Sequence, residues 1–211
     1  MSDVKIGRMM IGSYQTNCYF LFREETKKAI VIDPADNGNL IYDKLTQNGF
    51  SVEAILLTHG HFDHIWGSKE LRELSGAKIY ALDKEQTLCE SVDNNLSAMV
   101  GRAYTVVPDE YVADGAELTF DNISFKVIAT PGHTIGSCCY YVEKSGILIS
   151  GDTLFQESTG RTDFPTGSMS SIVRSIREKL FVLPDDTKVY PGHGDSTTIG
   201  YEKKYNPFVA E

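Results

Sequence analysis

Three imidazoles and one carboxylate fall within the run Thr58-His59-Gly60-His61-Phe62-Asp63-His64, and this density decides what the chain must build. Imidazole nitrogen and carboxylate oxygen are the donors that zinc, iron and manganese accept. His59 and His61 alternate, so an extended turn points both the same way. Asp63 and His64 come where a helical pattern opens, and can turn toward a second centre close by. The other two of the five histidines stand in matching contexts, Thr130-Pro131-Gly132-His133 and Tyr190-Pro191-Gly192-His193. Gly151-Asp152 follows the apolar run Gly146-Ile147-Leu148-Ile149. Leu57, Ala129, Ile149 and Tyr190 thus each end a short apolar strand, with a candidate ligand a few residues on. Converging strands would bring His59, His61, Asp63, His64, His133, Asp152 and His193 to one sheet edge. Gly and Pro beside these residues suit sharp turns that expose a side chain. An isolated histidine at a strand end is usually a hydrogen-bonded structural residue, but that reading does not account for every histidine of the chain sitting in such a place.

Around the cluster, the hydrophobic pattern predicts strands at 4–11, 18–22, 29–32, 54–57, 78–82, 124–129, 137–142, 146–149 and 188–190. It predicts helices at 39–47 and 64–74, a helix capped by Asp83 and running to Cys89, and an amphipathic helix at 170–181 with Ile172, Val173, Ile176 and Leu180 on one face. Residues 91–114 read as irregular, the segment best suited to a lid or substrate loop. Strands interrupted by helices in both halves predict a layered α/β domain spanning 1–211, two sheets face to face with helices outside. A chain of 211 residues buries about two-thirds of its unfolded surface, so metals would decorate a fold that already has a core.

The formal charge of −9 argues against a nucleic-acid partner, which calls for clustered Lys and Arg. No run approaches the ~18 apolar residues of a membrane span, and the opening Met1-Ser2-Asp3-Val4-Lys5-Ile6 has no apolar leader core. A cytoplasmic protein with no membrane partner is the expectation. Cys18, Cys89, Cys138 and Cys139 form no C-x-x-C pair and read as free, buried thiols. Cys138 and Cys139, adjacent in a strand, should face opposite ways.

The H-x-H-x-D-H run, followed in order by His133, Asp152 and His193, resembles the metallo-β-lactamase fold superfamily over nearly the whole chain. The resemblance implies a four-layered αββα sandwich with its site at one edge of the two sheets. It implies that His59, His61 and His133 hold one divalent metal ion, that Asp63, His64 and His193 hold a second, and that Asp152 bridges them. Zinc is the first expectation, with iron or manganese compatible with the same donors. Within the superfamily, Thr16-Asn17-Cys18-Tyr19, Gly151-Asp152-Thr153-Leu154-Phe155, Gly160-Arg161-Thr162-Asp163-Phe164, Pro191-Gly192-His193-Gly194, Thr197-Thr198-Ile199-Gly200, Glu202 and Asn206-Pro207-Phe208 are similar to hydroxyacylglutathione hydrolases (glyoxalase II) in their short form.

That likeness implies a binuclear hydrolase that cleaves S-D-lactoylglutathione or a related thioester with a metal-activated water. Asp63 would act as a catalytic residue, orienting that water besides ligating. Arg161, in the loop after Asp152, is the candidate for a substrate carboxylate, and Tyr14, Tyr104 and Phe164 for the pocket wall. Longer glyoxalase II enzymes add a C-terminal helical domain for glutathione; this sequence ends at Glu211 and is expected to lack it. The alternative is a mononuclear-iron persulfide dioxygenase, which shares the Gly160-Arg161-Thr162-Asp163-Phe164 pattern. A metal-binding module without catalysis is a further reading. Asp152 in place of Cys argues against a lactamase, the charge against a nuclease, and His61 in place of Glu against a di-iron oxygen reductase.

Overall fold

Six strands follow one another into the first sheet: β1 (Lys5–Ile11), β2 (Thr16–Phe22), β3 (Lys28–Ile32), β4 (Ser51–Leu56), β5 (Lys78–Leu82) and β6 (Glu110–Val112). The computed structural model describes residues 4–209; Met1, Ser2, Asp3, Ala210 and Glu211, on which the readings of the chain's two ends depend, lie outside the described residues. Pairing is antiparallel between β1, β2 and β3 and parallel from β3 to β6. Strands β7 (Glu117–Phe120), β8 (Ile123–Ala129), β9 (Cys138–Val142) and β10 (Ile147–Gly151) follow. Then come a separate hairpin of β11 (Leu154–Phe155) and β12 (Ser158–Thr159), and finally β13 (Lys188–Pro191) and β14 (Thr197–Thr198). The second sheet has the order β14-β13-β10-β9-β8-β7. Because β9 is antiparallel to both β8 and β10, and β10 is parallel to β13, strands β8, β10 and β13 all end at the same edge.

Period-two alternation sorts the apolar residues into three layers of core. Ile30, Ile32, Ala54 and Leu56 of the first sheet meet Phe125, Val127, Tyr140 and Ile149 of the second. Their sequence neighbours Ala29, Val31 and Ile55 face outward onto Ile41, Leu45 and Leu71. On the far side, Ile128, Cys139, Tyr141 and Leu148 meet Ile172, Ile176, Leu180 and Ile199. Each fully buried aliphatic or aromatic side chain contributes about 1.5–3 kcal/mol, so all three layers stabilise the fold. The helices that supply the outer layers are α1 (Gly38–Gln47), α2 (Phe62–Ile65), α3 (Ser68–Ser75), α4 (Gln86–Cys89), α5 (Met169–Ser175) and α6 (Ile199–Tyr205). The architecture is the expected αββα sandwich. Cys138 faces the inter-sheet core and Cys139 the outer one, and all four cysteines are free and buried.

Several elements differ from the sequence expectation. The helix expected at 64–74 is two helices, because Gly67 packs its N–H onto the carbonyl of Pro34 at 2.8 Å. Asp83 does not cap a helix: its Oδ1 accepts from the adjacent Lys84 N–H at 2.7 Å, and Asp83–Glu85 is a 3₁₀ turn leading into α4. The helix expected at 170–181 is α-helical only through Ser175; Ile176–Leu180 is π-helical, closed by Phe181 N–H donating to Ile176 O at 2.8 Å. Residues 91–114 are not wholly irregular. Their last part is β6, and Asn95 O and Leu96 pack against Phe62 of α2. Among the described residues, no helix is long and apolar enough to cross a membrane.

Candidate metal centre

The four strand ends named above do converge. Residues after β4 supply His59, His61, Asp63 and His64, and the ends of β8, β10 and β13 lead to His133, Asp152 and His193. Thr58 O accepts from Cys138 N–H at 2.9 Å, tying the end of β4 to the start of β9 and so joining the two sheets beside the cluster. His59, His61 and His133 offer donor atoms that all lie within 4.8 Å of one another, and so do Asp63, His64 and His193. Nδ1 of His61 and Nε2 of His133 approach to 2.9 Å. Asp152 lies between the triads, with Oδ1 3.4 Å from His64 Nε2, and Oδ2 3.6 Å from both His133 Nε2 and His193 Nε2.

Three of the five rings are turned by what holds Nδ1. Nδ1 of His64 donates to Asp33 Oδ2 at 3.0 Å, and Nδ1 of His133 donates to the carbonyl of Arg161 at 2.7 Å. Nδ1 of His59 meets Thr58 Oγ1 at 3.1 Å. These contacts hold Nδ1 outward and turn Nε2 toward the centre, as partners behind metal-ligating histidines do. Asp33 accepts from Thr58 N–H at 2.8 Å and Thr58 Oγ1 at 2.7 Å as well, so both its oxygens are engaged and it acts behind the ligands. Nε2 of His59, His61 and His64 and Oδ1 of Asp152 are buried without a hydrogen-bond partner. Buried polar atoms are rarely left so, and a convergent set of imidazole and carboxylate donors fits divalent cations.

The charge states divide the cluster. Burial, reinforced by the neighbouring imidazoles, pushes His59 and His61 well below the ordinary histidine range, and burial also lowers His133. Those rings are neutral and ready to donate a lone pair. For His64, burial opposes protonation, yet Asp152, Asp63 and Asp33 outweigh it and lift the ring to about 10. His193 is raised against burial by its bond to Asp63 and by Asp152. Asp63 is lowered despite burial, by His64 and His193.

Main-chain geometry protects the arrangement. A Cβ on Gly192 would lie 2.2 Å from Asp152 Oδ1 and 2.7 Å from His64 Cε1, so only glycine lets β13 end this close. Asn17 donates its Nδ2 to Pro191 O and Gly194 O, each at 2.9 Å, and Tyr19 Oη donates to Pro191 O at 3.0 Å. The Thr16-Asn17-Cys18-Tyr19 motif is therefore the clasp of the His193 loop, and Thr16 Oγ1 also donates to Asp63 Oδ2 at 3.3 Å. Arg161 is exposed, pairs with Asp163 at 2.7 and 3.0 Å and lies over the Phe164 ring at 4.1 Å. Tyr14 packs on Phe62, with ring centroids 4.9 Å apart, and Tyr104 and Phe164 border Phe62, Trp66 and Leu96.

Sequence reasoning passed over Asp33, Thr58 and Glu85. Asp33 carried a signal, an acid ending an apolar strand before proline. Glu85, in a charged stretch, carried none.

Two mixed sheets under outer helices, with a histidine–aspartate cluster at their shared edge, define a metal-binding αββα protein. The model of the metallo-beta-lactamase superfamily matches residues 11–193, and the chain belongs to that superfamily. It is 37% identical over 208 residues to the "Probable metallo-hydrolase YqgX" of Bacillus subtilis, covering 98% of each chain. It is 33% identical to the "Hydroxyacylglutathione hydrolase GloC" of Haemophilus influenzae, over 94% of this chain and 95% of that one. Among solved structures it superposes on the BLEG-1 B3 metallo-beta-lactamase with a TM-score of 0.93 at 37% identity, covering 98% of this chain and 100% of that one. The di-iron-bound form of TTHA1623 gives a TM-score of 0.85 at 33% identity, covering 96% and 99%.

Proposed function

We propose that this chain is a binuclear hydrolase of thioesters, with S-D-lactoylglutathione or a related acyl thioester as substrate. The observation that carries the two-metal part is the position of Asp152, whose separate oxygens reach His64 on one side and His133 and His193 on the other. His59, His61 and His133 would hold one cation, Asp63, His64 and His193 the other, and Asp152 both; the di-iron form of TTHA1623 supports two such positions. Bound divalent cations lower the pKa of a shared water toward neutrality and polarise a carbonyl. Asp63, kept ionised by His64 and His193, accepts a hydrogen bond from the attacking water and orients it. A thiolate leaves without a proton, so the reaction asks no general acid of the protein. Arg161, by releasing Asp163, would offer its guanidinium to a substrate carboxylate.

The thioester part draws on the likeness to GloC and on the motifs around Asp152 and His193. The likeness to the BLEG-1 B3 metallo-beta-lactamase puts a β-lactam amide beside it as a competing substrate. The test joins elemental analysis of the purified protein to turnover of S-D-lactoylglutathione, a glutathione-free acyl thioester and a chromogenic cephalosporin. Two metal ions per chain and turnover favouring the thioesters are expected. His193→Ala and Asp152→Ala should each lose one metal and nearly all turnover. One iron per chain with oxygen consumption, or retained activity in His193→Ala, would sink the reading.

A further inference from the structure

Glu85 is fully buried, yet the partners of its carboxylate are neutral donors. Oε1 accepts from Gly60 N–H at 2.7 Å, Oε2 accepts from Thr134 Oγ1 at 2.9 Å, and the N–H of Gly136 donates as well. Burying an ionised carboxylate costs several kcal/mol, and hydrogen bonds from neutral donors offset only part of it. The donors have one thing in common. Gly60 stands between His59 and His61, and Thr134 directly follows His133. One side chain therefore ties together the two loops that carry the all-histidine triad, and none of its three donors adjoins Asp63, His64 or His193 in the chain.

The fit is close on every side. A Cβ on Gly136 would lie 2.3 Å from Glu85 N and 2.5 Å from its Oε2, and one on Gly60 would lie 2.9 Å from Leu88 Cβ and 3.0 Å from Cys89 N. Both loops thus close directly onto the turn carrying Glu85 and onto α4. Ser137 Oγ lies 2.6 Å from Thr134 Oγ1, so the Thr134 hydroxyl, donating to Glu85, accepts from Ser137 and is held at both ends. A carboxylate accepts at all of these positions at once. The amide of a glutamine would turn its NH₂ toward one donor, and alanine would leave all three unmet.

We propose that Glu85 is the positioning residue of the first metal position: its carboxylate clamps the Gly60 turn to the Thr134–Gly136 turn so that His59, His61 and His133 converge on one cation. The proposal rests on the two-metal reading above.

The test is the affinity and stoichiometry of zinc, read by chelator competition, in Glu85→Gln, Glu85→Ala and Thr134→Val. Partners behind metal ligands are worth about 10- to 100-fold in affinity. Glu85→Gln should weaken one of two zinc ions by that factor and leave the other unchanged, with Thr134→Val smaller and of the same sign. Double variants assign the ion. In a His193→Ala background, Glu85→Gln should weaken the remaining zinc; in a His133→Ala background it should not. A residue that only stabilises the fold would lower the melting temperature and leave both affinities alone, or weaken both zinc ions equally, and either result overturns the proposal. Should Glu85→Ala not fold, the near-isosteric Glu85→Gln and Thr134→Val carry the same comparison. Wild type binding a single zinc would overturn the two-metal reading alone; Glu85 would then be judged on that ion, and an unchanged affinity in Glu85→Gln would overturn the clamp.

Discussion

An imidazole offers two nitrogens, and the partner on the outer one decides what the inner one can do. Asp33 behind His64 and the Arg161 carbonyl behind His133 each accept from Nδ1, which turns Nε2 toward the centre. Glu85 works a layer further out, and its environment has a measurable consequence. Burial lifts it to about 7 from an ordinary 4.5, against the hydrogen bonds from Gly60, Thr134 and Gly136, which lower it. A folded-state value above the unfolded one gives stability that is complete below about pH 4.5 and is lost as pH rises through about 7. The loss amounts to roughly 3 kcal/mol, or roughly 6–12 °C for a chain of this size. Metal-free Glu85→Gln cannot undergo it, so between pH 5 and pH 8 its melting temperature should gain on that of metal-free wild type by about that amount. A difference that stays constant with pH would show that Glu85 ionises normally. The seven candidate ligands were legible in the sequence because their chemistry is visible in residue type. Glu85 was not, and Asp33 showed only as an acid ending an apolar strand, because each acts on partners 25 or more positions away that only the fold brings near.

At the scale of elements, pattern gave strands well and helix continuity poorly. Strands β3, β4, β5 and β8 appear within a few residues of their apolar runs, since alternation between two cores is written directly into Ala29-Ile30-Val31-Ile32 and its like. The break between α2 and α3 was not visible, because it comes from Gly67 docking on Pro34, a contact across sequence. That break matters: it lets α2 be a single turn that delivers Asp63 and His64 while α3 packs on α1. Short β7 and β14 were missed because their partly exposed residues show no apolar run. The end of β13 gives the prediction that belongs here. Gly192→Ala would drive a methyl to 2.2 Å from Asp152 Oδ1, at a residue outside the sheet cores. We expect an unchanged far-ultraviolet circular dichroism spectrum and loss of metal from the Asp63, His64 and His193 position by elemental analysis. Full metal content in Gly192→Ala would mean that Asp152 can move aside and that the close approach is incidental.

Across the whole molecule, the cluster draws its donors from both sheets: His59, His61, Asp63 and His64 from beyond β4, and His133, Asp152 and His193 from beyond β8, β10 and β13. Cations held there would link the two sheets at the edge where carboxylates and imidazoles crowd together, whereas at the opposite strand ends the sheets meet through the apolar layer and the hydrogen bond from Thr26 Oγ1 to Asp121 Oδ2. Unliganded, Asp63 and Asp152 stay paired with His64 and His193, whose protonation they favour, while His59, His61 and His133, kept neutral by burial, lose their shared partner. Removing metal should therefore act unevenly. A ligand that binds only the folded state at about a thousand times its Kd contributes about 4 kcal/mol, which for a chain of this length is roughly 8–16 °C in melting temperature. Chelation should lower the melting temperature by about that amount. Backbone amide exchange should accelerate at 58–64, 130–137 and 191–194, while Ile30, Leu56, Val127 and Tyr140 in the inter-sheet core keep their protection. The two readouts separate a local from a global role. Uniform loss of protection would mean that the metals hold the sandwich itself together, and unchanged melting would mean that the cluster is rigid without them.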